Sequence, residues 1–348
     1  MEFLAEYGLF FAKVVTVVVA LIIIVSAIAA QSQRGRTHGL TSGHIEVRKI
    51  NDQYENFEQS IKHAVLPEKF YKLRQQQKKK QEKISKKHAK PDDKPHIYYL
   101  NFEGDIKASA VDKLRHEITA ILTVAGPKDE VVINIESPGG MVHTYGLAAS
   151  QMKRLRTAGI PLTVCVDKVA ASGGYLMACV ADRILAAPFA IVGSIGVLAQ
   201  IPNFNRALKR IDVDYEIMTA GEHKAPVTMF GEITEKGRIK LREELETTHV
   251  LFKRFISDHR PQVPIDQVAT GEVWYGSEAM EKQLVDDILT SDDYLMSQRK
   301  DKAIFEISFI EKKSLQEKLG LAAQHGITGA INAVFKREQE VAATRNVQ

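Results

Sequence analysis

The sequence is poor in cysteine, in net charge and in metal-ligand motifs. Cys165 and Cys179 are its only cysteines among 348 residues. Two cysteines do not build a disulfide framework, and no CxxC pair indicates a metal site, so we predict both to be core thiols. The net charge of +4 is too small to require a polyanionic partner. No motif indicates a metal ion or an organic cofactor.

One long uncharged segment lies near the N-terminus. Residues 14–30 read VVTVVVALIIIVSAIAA, and the apolar stretch extends back to Tyr7 with a single lysine inside it. Its length approaches what a helix needs to cross the hydrocarbon core of a bilayer. We predict that residues 7–30 bind the lipid bilayer as a single span, within a membrane anchor at 1–34. The A-I-A sequence at its end leaves open a cleaved signal peptide.

The charges that flank this segment bear on its orientation. Arg34 and Arg36 follow it closely, whereas the preceding flank carries only Lys13. The positive-inside rule then places the larger C-terminal part in the cytoplasm.

A polar, lysine-rich connector is predicted for residues 35–94. Residues 40–94 show no strand pattern, and residues 75–90 read QQQKKKQEKISKKHAK. This composition is typical of a solvated helix or a disordered tether, and contact with anionic lipid is the sharper alternative. Nucleic-acid binding is not expected, because no aromatic residues interrupt the lysines and no recognition motif is present. Pro91 and Pro95 mark the predicted end of the connector.

The pattern changes at His96, where strand-like and helix-like segments begin to alternate. This alternation predicts an α/β fold with a mainly parallel sheet and flanking helices. We assign residues 95–295 to this domain. The predicted strands are residues 97–102, 131–135, 162–166 and a strand from 183, and the predicted helices are residues 109–124, 142–156 and 172–180.

Two further segments need an interpretation. Residues 186–201 are apolar, but proline and glycine interrupt them and they are short for a membrane span, so buried strands and turns are predicted there. Residues 296–348 form a predicted C-terminal extension, with an amphipathic helix at 314–336.

Three short segments combine into a candidate catalytic site. Ser172 and the Gly139-Gly140 pair each follow a predicted strand, where ligands bind in open α/β sheets. Ser172 with Lys224 fits the Ser-Lys variant of acyl transfer, in which a lysine that burial keeps uncharged activates the serine. The backbone N–H groups of Gly140 and Gly173 are the candidate oxyanion donors.

Each of these residues also has an ordinary structural explanation. A serine at a helix start is usually an N-cap, a Gly-Gly pair is usually a turn, and a lysine in a loop is usually solvated. His143 and His223 are possible alternative bases, but neither comes with a recognisable orienting acid. The functional interpretation therefore depends on the combination.

The combination resembles the signal peptide peptidase A family of serine proteases over nearly the whole chain. The resemblance is carried by ESPGGMVHTYGLAASQMKRLR, PLTVCVDKVAASGGYLMACVAD and APFAIVGSIGV. It implies a ClpP/crotonase-like fold, with Ser172 as nucleophile, Lys224 as general base and Gly140 as oxyanion donor. It also implies a homo-oligomer in which the dyad forms within or between chains. His223 stands where family members often have tyrosine.

These features predict a membrane-anchored serine endopeptidase that cleaves extended peptides such as signal peptide remnants. The resemblance implies a single-pass protein of the bacterial inner membrane, with an extracytoplasmic site that disagrees with the charge rule. The alternatives are a catalytically inactive membrane scaffold that retains the protease fold and a crotonase-like acyl-CoA enzyme. The acyl-CoA enzyme would need neither the Ser-Lys pair nor the anchor.

Overall fold

A computed structural model describes residues 16, 43–71, 94–221, 224 and 227–312. Residues 45–309 form one compact unit. Residues 1–44 and 310–348 group as a second unit, of which residues 16, 43, 44 and 310–312 are described. The predicted amphipathic helix at 314–336 and the lysine-rich residues 75–90 lie outside the described residues.

Strands and helices alternate along the compact unit. The strands are β1 (Gly43–Lys49), β2 (His96–Glu103), β3 (Glu130–Glu136), β4 (Leu162–Val166), β5 (Val169–Ala171), β6 (Arg183–Ala186), β7 (Ile191–Gly193), β8 (Val273–Tyr275), β9 (Asp287–Ile288) and β10 (Ala303–Glu311). The helices are α1 (Ile50–Val65), α2 (Val111–Leu122), α3 (Val142–Thr157), α4 (Gly173–Ala178), α5 (Asn205–Arg210), α6 (Glu235–His259), α7 (Ile265–Val268), α8 (Gly276–Glu281) and α9 (Ser291–Gln298).

The main sheet has seven strands in the order β1-β10-β2-β3-β4-β6-β9. From β10 to β9 every pairing is parallel. Leu100, Ile133 and Val164 lie side by side on β2, β3 and β4 and have no exposed surface. Strands covered on both faces are expected to be continuously apolar. The predicted α/β class with a mainly parallel sheet and flanking helices is confirmed.

A second, smaller sheet has the order β5-β7-β8. β5 and β7 pair in parallel, and β8 runs antiparallel to β7. β7 and its flanking turns lie within the apolar residues 186–201, where buried strands and turns were predicted. Val192 and Ile195 are buried, but Phe189 is 82% and Leu198 77% exposed, so the prediction of burial is wrong there. None of the helices in the described part of the chain is both long enough and apolar enough to cross a membrane. The predicted anchor at 7–30 falls outside that part apart from Thr16.

The helices α2 and α3, both predicted from the sequence, cover the sheet with one apolar face each. In α2 the buried apolar positions are Val111, Leu114, Ile118 and Ile121. In α3 the buried positions are Tyr145, Ala148, Ala149, Met152 and Leu155. The helical spacing of these residues places each set on one side of its helix. Cys165 and Cys179 are free and buried, so the prediction of core thiols is confirmed.

The prediction that residues 40–94 lack strands is wrong at residues 43–49. These residues form β1 next to β10 at the edge of the main sheet, and α1 follows directly. The segment reads GHIEVRK, and Val47 is 57% exposed. Charged residues are usual on edge strands because they discourage pairing with other chains. Arg48 forms an ion pair with Glu306 of β10, which the sequence pattern did not reveal.

Asp129 joins the starts of β2 and β3. Its carboxylate accepts hydrogen bonds from Gly126 N at 2.8 Å, His96 N at 2.8 Å and the His96 ring at 3.0 Å. Burial by itself raises the pKa of the Asp129 carboxyl. The hydrogen bonds from Gly126 and His96 outweigh it, so the net pKa lies below its ordinary value.

Asp129→Asn is expected to destabilise the fold in a pH-dependent way. Because the pKa of Asp129 is lower in the folded chain, its carboxylate adds to the free energy of unfolding at pH values above the ordinary aspartate pKa. This contribution is lost as the pH falls through the pKa that Asp129 has in the folded chain. We expect a loss of about 1–3 kcal/mol at pH 7. The difference from wild type should shrink below about pH 4.

Chemical unfolding of the full-length protein between pH 3 and pH 8 measures this effect. Asp112→Asn, on the exposed side of α2, is the control, with an expected change within about 0.5 kcal/mol. A difference between Asp129→Asn and wild type that stays constant over the whole pH range would contradict the expectation.

Candidate active site

Ser172 sits on a sharp turn between β5 and α4. Its backbone has φ 51° and ψ −116°, a region that glycine favours. Ser172 N donates to Gly193 O at 2.8 Å, and Leu176 N donates to Ser172 O at 2.9 Å. A non-glycine residue held there costs about 1–3 kcal/mol, so surrounding bonds must enforce the conformation. The turn thus presents a serine on a strained strand-to-helix corner.

The Ser172 side chain is not used as a helix cap. Ser172 occupies the N-cap position of α4, but its side chain makes no capping hydrogen bond. No described residue forms a hydrogen bond with Ser172 Oγ, and the residue is half-buried. The ordinary explanation of this serine therefore fails, and its hydroxyl is free to react.

The Ser137-Pro138-Gly139-Gly140 turn lies directly against Ser172. Ser137 N donates to Val169 O at 2.8 Å, and Ala171 N donates to Ser137 O at 3.0 Å. A β-carbon added at Gly139 would lie 2.7 Å from both Ser172 Cβ and Gly173 N. Hydrogen bonds therefore join the residue after β3 to β5, the strand that leads to Ser172. This is expected for loops at the carboxyl ends of parallel strands.

The two glycines of this turn have different surroundings. Gly139 has φ 91° and donates its N–H to Ser137 Oγ at 3.1 Å. A β-carbon added at Gly140 would lie 2.1 Å from Ile106 O, so no side chain fits there either. The N–H groups of Gly140 and Gly173 have no acceptor among the described residues. Sequence reasoning named both glycines but assigned a role to Gly140 alone, whereas Gly139 makes the contact with Ser172.

Sequence reasoning also overlooked a buried hydroxyl pair under the turn. Ser137 Oγ and Tyr145 OH lie 2.6 Å apart, and both residues have no exposed surface. The signal was available, because the helical period of α3 places Tyr145 on the buried side. A buried phenol usually has a hydrogen-bond partner.

Lys224 lies on a segment that we call the arm, residues 196–233, of which 196–221, 224 and 227–233 are described and mostly exposed. Lys224 is exposed, its N donates to Gly221 O at 3.2 Å, and Gly221 has φ 99°. No described residue bonds to Lys224 Nζ, so the described part of a single chain does not bring Lys224 into hydrogen-bond contact with Ser172. His223 lies outside the described residues. Packing within the described chain does not supply the burial that the sequence argument required.

The arm exposes a large apolar surface. Hydrogen bonds join two parts of the arm, since Phe204 N donates to Met229 O at 2.7 Å and Asn205 Nδ2 donates to Phe230 O at 2.8 Å. Met218 is 88% exposed. Other exposed apolar residues of the arm are Leu198, Ile201, Phe204, Ile211, Val213, Tyr215, Ile217, Met229 and Phe230. Large contiguous apolar surfaces on soluble domains usually mark an interaction site.

Apolar side chains also flank the glycine turn. Ile106, whose carbonyl contacts Gly140, is 69% exposed, and Met141 and Val142 are exposed at the start of α3. Among the described residues, no cluster of three histidine, cysteine, aspartate or glutamate side chains is arranged to hold a metal ion. The surroundings of Ser172 thus consist of apolar side chains and backbone donors.

A free serine on a strained turn, with unpaired backbone N–H groups beside it, is the arrangement of a serine hydrolase that transfers acyl groups. Two family profiles match the chain, "Peptidase family S49 N-terminal" over residues 2–152 and "Peptidase family S49" over residues 154–304. The chain belongs to peptidase family S49 and is a serine protease, and this family uses a Ser-Lys dyad. The resemblance noted from the sequence motifs is confirmed.

Curated relatives cover most of the chain. A probable protease SohB from Haemophilus influenzae is 45% identical over 345 residues, which span 96% of each chain. A probable protease SohB from Buchnera aphidicola is 51% identical over 242 residues, covering 70% of this chain and 72% of the relative. A solved structure of the 1510-N membrane-bound stomatin-specific protease covers 59% of this chain and 84% of its own, with 14% identity and a TM-score of 0.41.

Proposed function

We propose that the chain is a membrane-anchored endopeptidase in which Ser172 is the nucleophile and Lys224 the general base. The conformation of Ser172 is the observation that carries the proposal. Its backbone is held in a strained conformation, and its hydroxyl makes no capping hydrogen bond. Ser172 Oγ attacks the scissile carbonyl while Lys224 takes its proton and passes it to the leaving amine. Lys224 then activates the water that hydrolyses the acyl-enzyme.

The proposed oxyanion donors are the N–H groups of Gly140 and Gly173. Both lack an acceptor among the described residues, and they belong to the two turns that meet at Gly139. A donor of this kind stabilises the developing oxyanion by about 3–4 kcal/mol. The formation of a tetrahedral intermediate needs the free Ser172 hydroxyl and the two free N–H donors beside it. A crotonase-like enzyme would not need Ser172.

We infer that the protein works as a homo-oligomer. An effective lysine base needs a site from which water is excluded, yet Lys224 is exposed in the single chain. The exposed apolar surface of the arm around it supports a second copy as the covering partner. The dyad then forms within or between chains, once the arm is packed.

The proposed substrate is an extended apolar peptide, such as a signal peptide remnant or another membrane-derived segment. Ile106, Met141 and Val142 lie exposed beside Gly140. They support a preference for substrates with apolar side chains near the scissile bond. We propose residues 1–34 as the membrane anchor of a single-pass protein of the bacterial inner membrane, with the span at 7–30 holding the site near such peptides. Residues 35–94 are proposed as the connector, 95–295 as the protease domain and 296–348 as the extension. Residues 45–71 of the connector and 296–309 of the extension belong to the same compact unit as the protease domain.

A serine-directed fluorophosphonate probe tests this proposal on the full-length protein in detergent. We expect one adduct, which mass spectrometry of proteolytic fragments should locate on Ser172. Lys224→Ala should label at least about 10²-fold more slowly, because the base is missing. Ser150→Ala, at an exposed serine of α3, should label like wild type.

Each part of the proposal has an outcome that contradicts it. An adduct on another serine would contradict the nucleophile. No labelling of the intact protein would favour the inactive scaffold that retains the protease fold. A monomeric protein that labels at the full rate would contradict the oligomer.

A further inference from the structure

Tyr145 is a buried residue that touches both turns of the candidate active site, and the dyad does not explain it. Its side chain has no exposed surface. Tyr145 OH donates to Asp105 O at 2.7 Å and lies 2.6 Å from Ser137 Oγ. Ser137 Oγ in turn accepts the N–H of Gly139 at 3.1 Å. Three hydrogen bonds therefore connect Asp105 to the glycine turn.

The direction of these bonds follows from the number of protons. A phenol has one proton and a carbonyl oxygen only accepts, so the Tyr145 proton goes to Asp105. In the hydrogen bond between Tyr145 and Ser137, the Ser137 hydroxyl must then be the donor and Tyr145 OH the acceptor. Lone pairs of Ser137 Oγ remain for the N–H of Gly139, which fixes the orientation of that peptide. Burial raises the pKa of Tyr145, which keeps the phenol protonated in the fold.

The Tyr145 ring supports the second turn. A β-carbon added at Gly173 would lie 2.4 Å from Tyr145 Cγ, so the Gly173 backbone rests directly on the ring. A β-carbon added at Gly104 would lie 2.5 Å from both Ser137 Oγ and Tyr145 OH. The absence of a side chain at Gly104 thus makes room for the hydroxyl pair. One side chain contacts Gly173 directly and the Gly139-Gly140 turn through Ser137.

We propose that Tyr145 is a positioning residue that holds the N–H groups of Gly140 and Gly173 in the geometry of an oxyanion hole. This inference rests on the proposed function, since it takes these two groups as the donors. The hydroxyl acts on the Gly140 turn through Ser137, and the ring acts on Gly173. Donors that drift by about 1 Å lower the rate by about 10²-fold. The loss falls on the transition state and leaves ground-state binding unchanged.

The experiment compares Tyr145→Phe with Tyr294→Phe in the full-length protein. Tyr294 is a matched control, because its buried hydroxyl also donates a hydrogen bond, to Glu130 Oε1 at 2.6 Å. Glu130 begins β3, whereas Ser137 follows the other end of that strand. The probes are a fluorogenic peptide and a peptide aldehyde of the same sequence, which mimics the tetrahedral intermediate. Activity is expressed per fluorophosphonate-labelled site, which removes any effect of unfolded protein.

Tyr145→Phe is expected to lower kcat by about 10- to 100-fold, with KM within about twofold of wild type. The inhibition constant of the aldehyde should rise by the same factor as kcat/KM falls. Ser137→Ala should behave similarly, and the double variant should lose no more than the larger single loss, since both residues act through one chain of bonds. Tyr294→Phe should keep kcat, KM and the inhibition constant of the aldehyde within about twofold of wild type. This should hold even if its Tm falls by as much as that of Tyr145→Phe.

Two results would overturn the inference: a Tyr145→Phe variant that matches Tyr294→Phe, or one that raises KM at unchanged kcat. Failure of the proposed function is distinguishable from both. In that case the wild-type protein itself would resist the aldehyde and carry no label on Ser172, which removes the premise as well.

Discussion

Ser172→Gly is expected to give a protein that has lost its peptidase activity and is more stable than wild type. The activity should fall by at least about 10³-fold, because the nucleophile is gone. The stability should rise because glycine adopts φ 51° and ψ −116° without the steric cost that serine has there. Strain relief of about 1–3 kcal/mol, less about 0.5–1 kcal/mol for the more flexible unfolded chain, leaves a gain of about 1 kcal/mol.

Ser172→Ala separates the two effects. Alanine lacks the hydroxyl but keeps the β-carbon, so it should lose the same activity and gain no stability. Peptide hydrolysis and thermal unfolding of both variants in detergent give the comparison. A glycine variant less stable than the alanine variant by about 0.5–1 kcal/mol would show that the Ser172 backbone is unstrained. Retained activity in either would rule out Ser172 as nucleophile.

Gly139→Ala is expected to lower kcat by about 10²- to 10³-fold, comparable to the loss of an oxyanion donor. The added methyl would lie 2.7 Å from Ala171 O, Gly173 N and Ser172 Cβ, and two of these are backbone atoms. The backbone must move to make room, which displaces the nucleophile and a proposed donor together. With φ 91° as a further cost, we expect a stability loss of about 1–3 kcal/mol.

Two other glycines are matched controls for this variant. Gly159 has φ 73° but nothing within 4 Å of an added β-carbon, so Gly159→Ala tests backbone strain alone. Gly146, inside α3, has open space and no unusual φ, so Gly146→Ala should stabilise the helix by about 0.5–1 kcal/mol. Both should keep kcat near wild type. A Gly139→Ala enzyme with normal kcat would show that the two turns are not in close contact.

Sequence patterns predicted the parts of the fold that depend on local periodicity. The central residues of β2, β3 and β4 are mostly apolar, and α2 and α3 have one apolar face each. β1 was missed because this edge strand, GHIEVRK, carries charged residues in place of an apolar alternation. The position of β10 next to β2 was also missed, since that pairing joins segments about two hundred residues apart and no local pattern encodes it.

The candidate site shows the same limit. Ser172, Lys224 and the glycine pair were recognisable by residue type and order. The strain at Ser172 was not, because the backbone conformation depends on hydrogen bonds with Gly193, on another strand, and with Leu176. The roles of Gly139 and Tyr145 likewise depend on two turns that meet only in the folded chain. Catalytic groups can be named from the sequence. The residues that position them are recognised only by their contacts in the folded structure.

The burial of both cysteines makes the native chain a convenient host for site-specific fluorescence. Cys165 and Cys179 have no exposed surface, and burial raises the pKa of both thiols, so neither forms a reactive thiolate. A cysteine introduced at Met218 would therefore be the sole site for a maleimide dye in the described part of the chain. Such a dye would report on the surroundings of the arm while every core contact stays as it is.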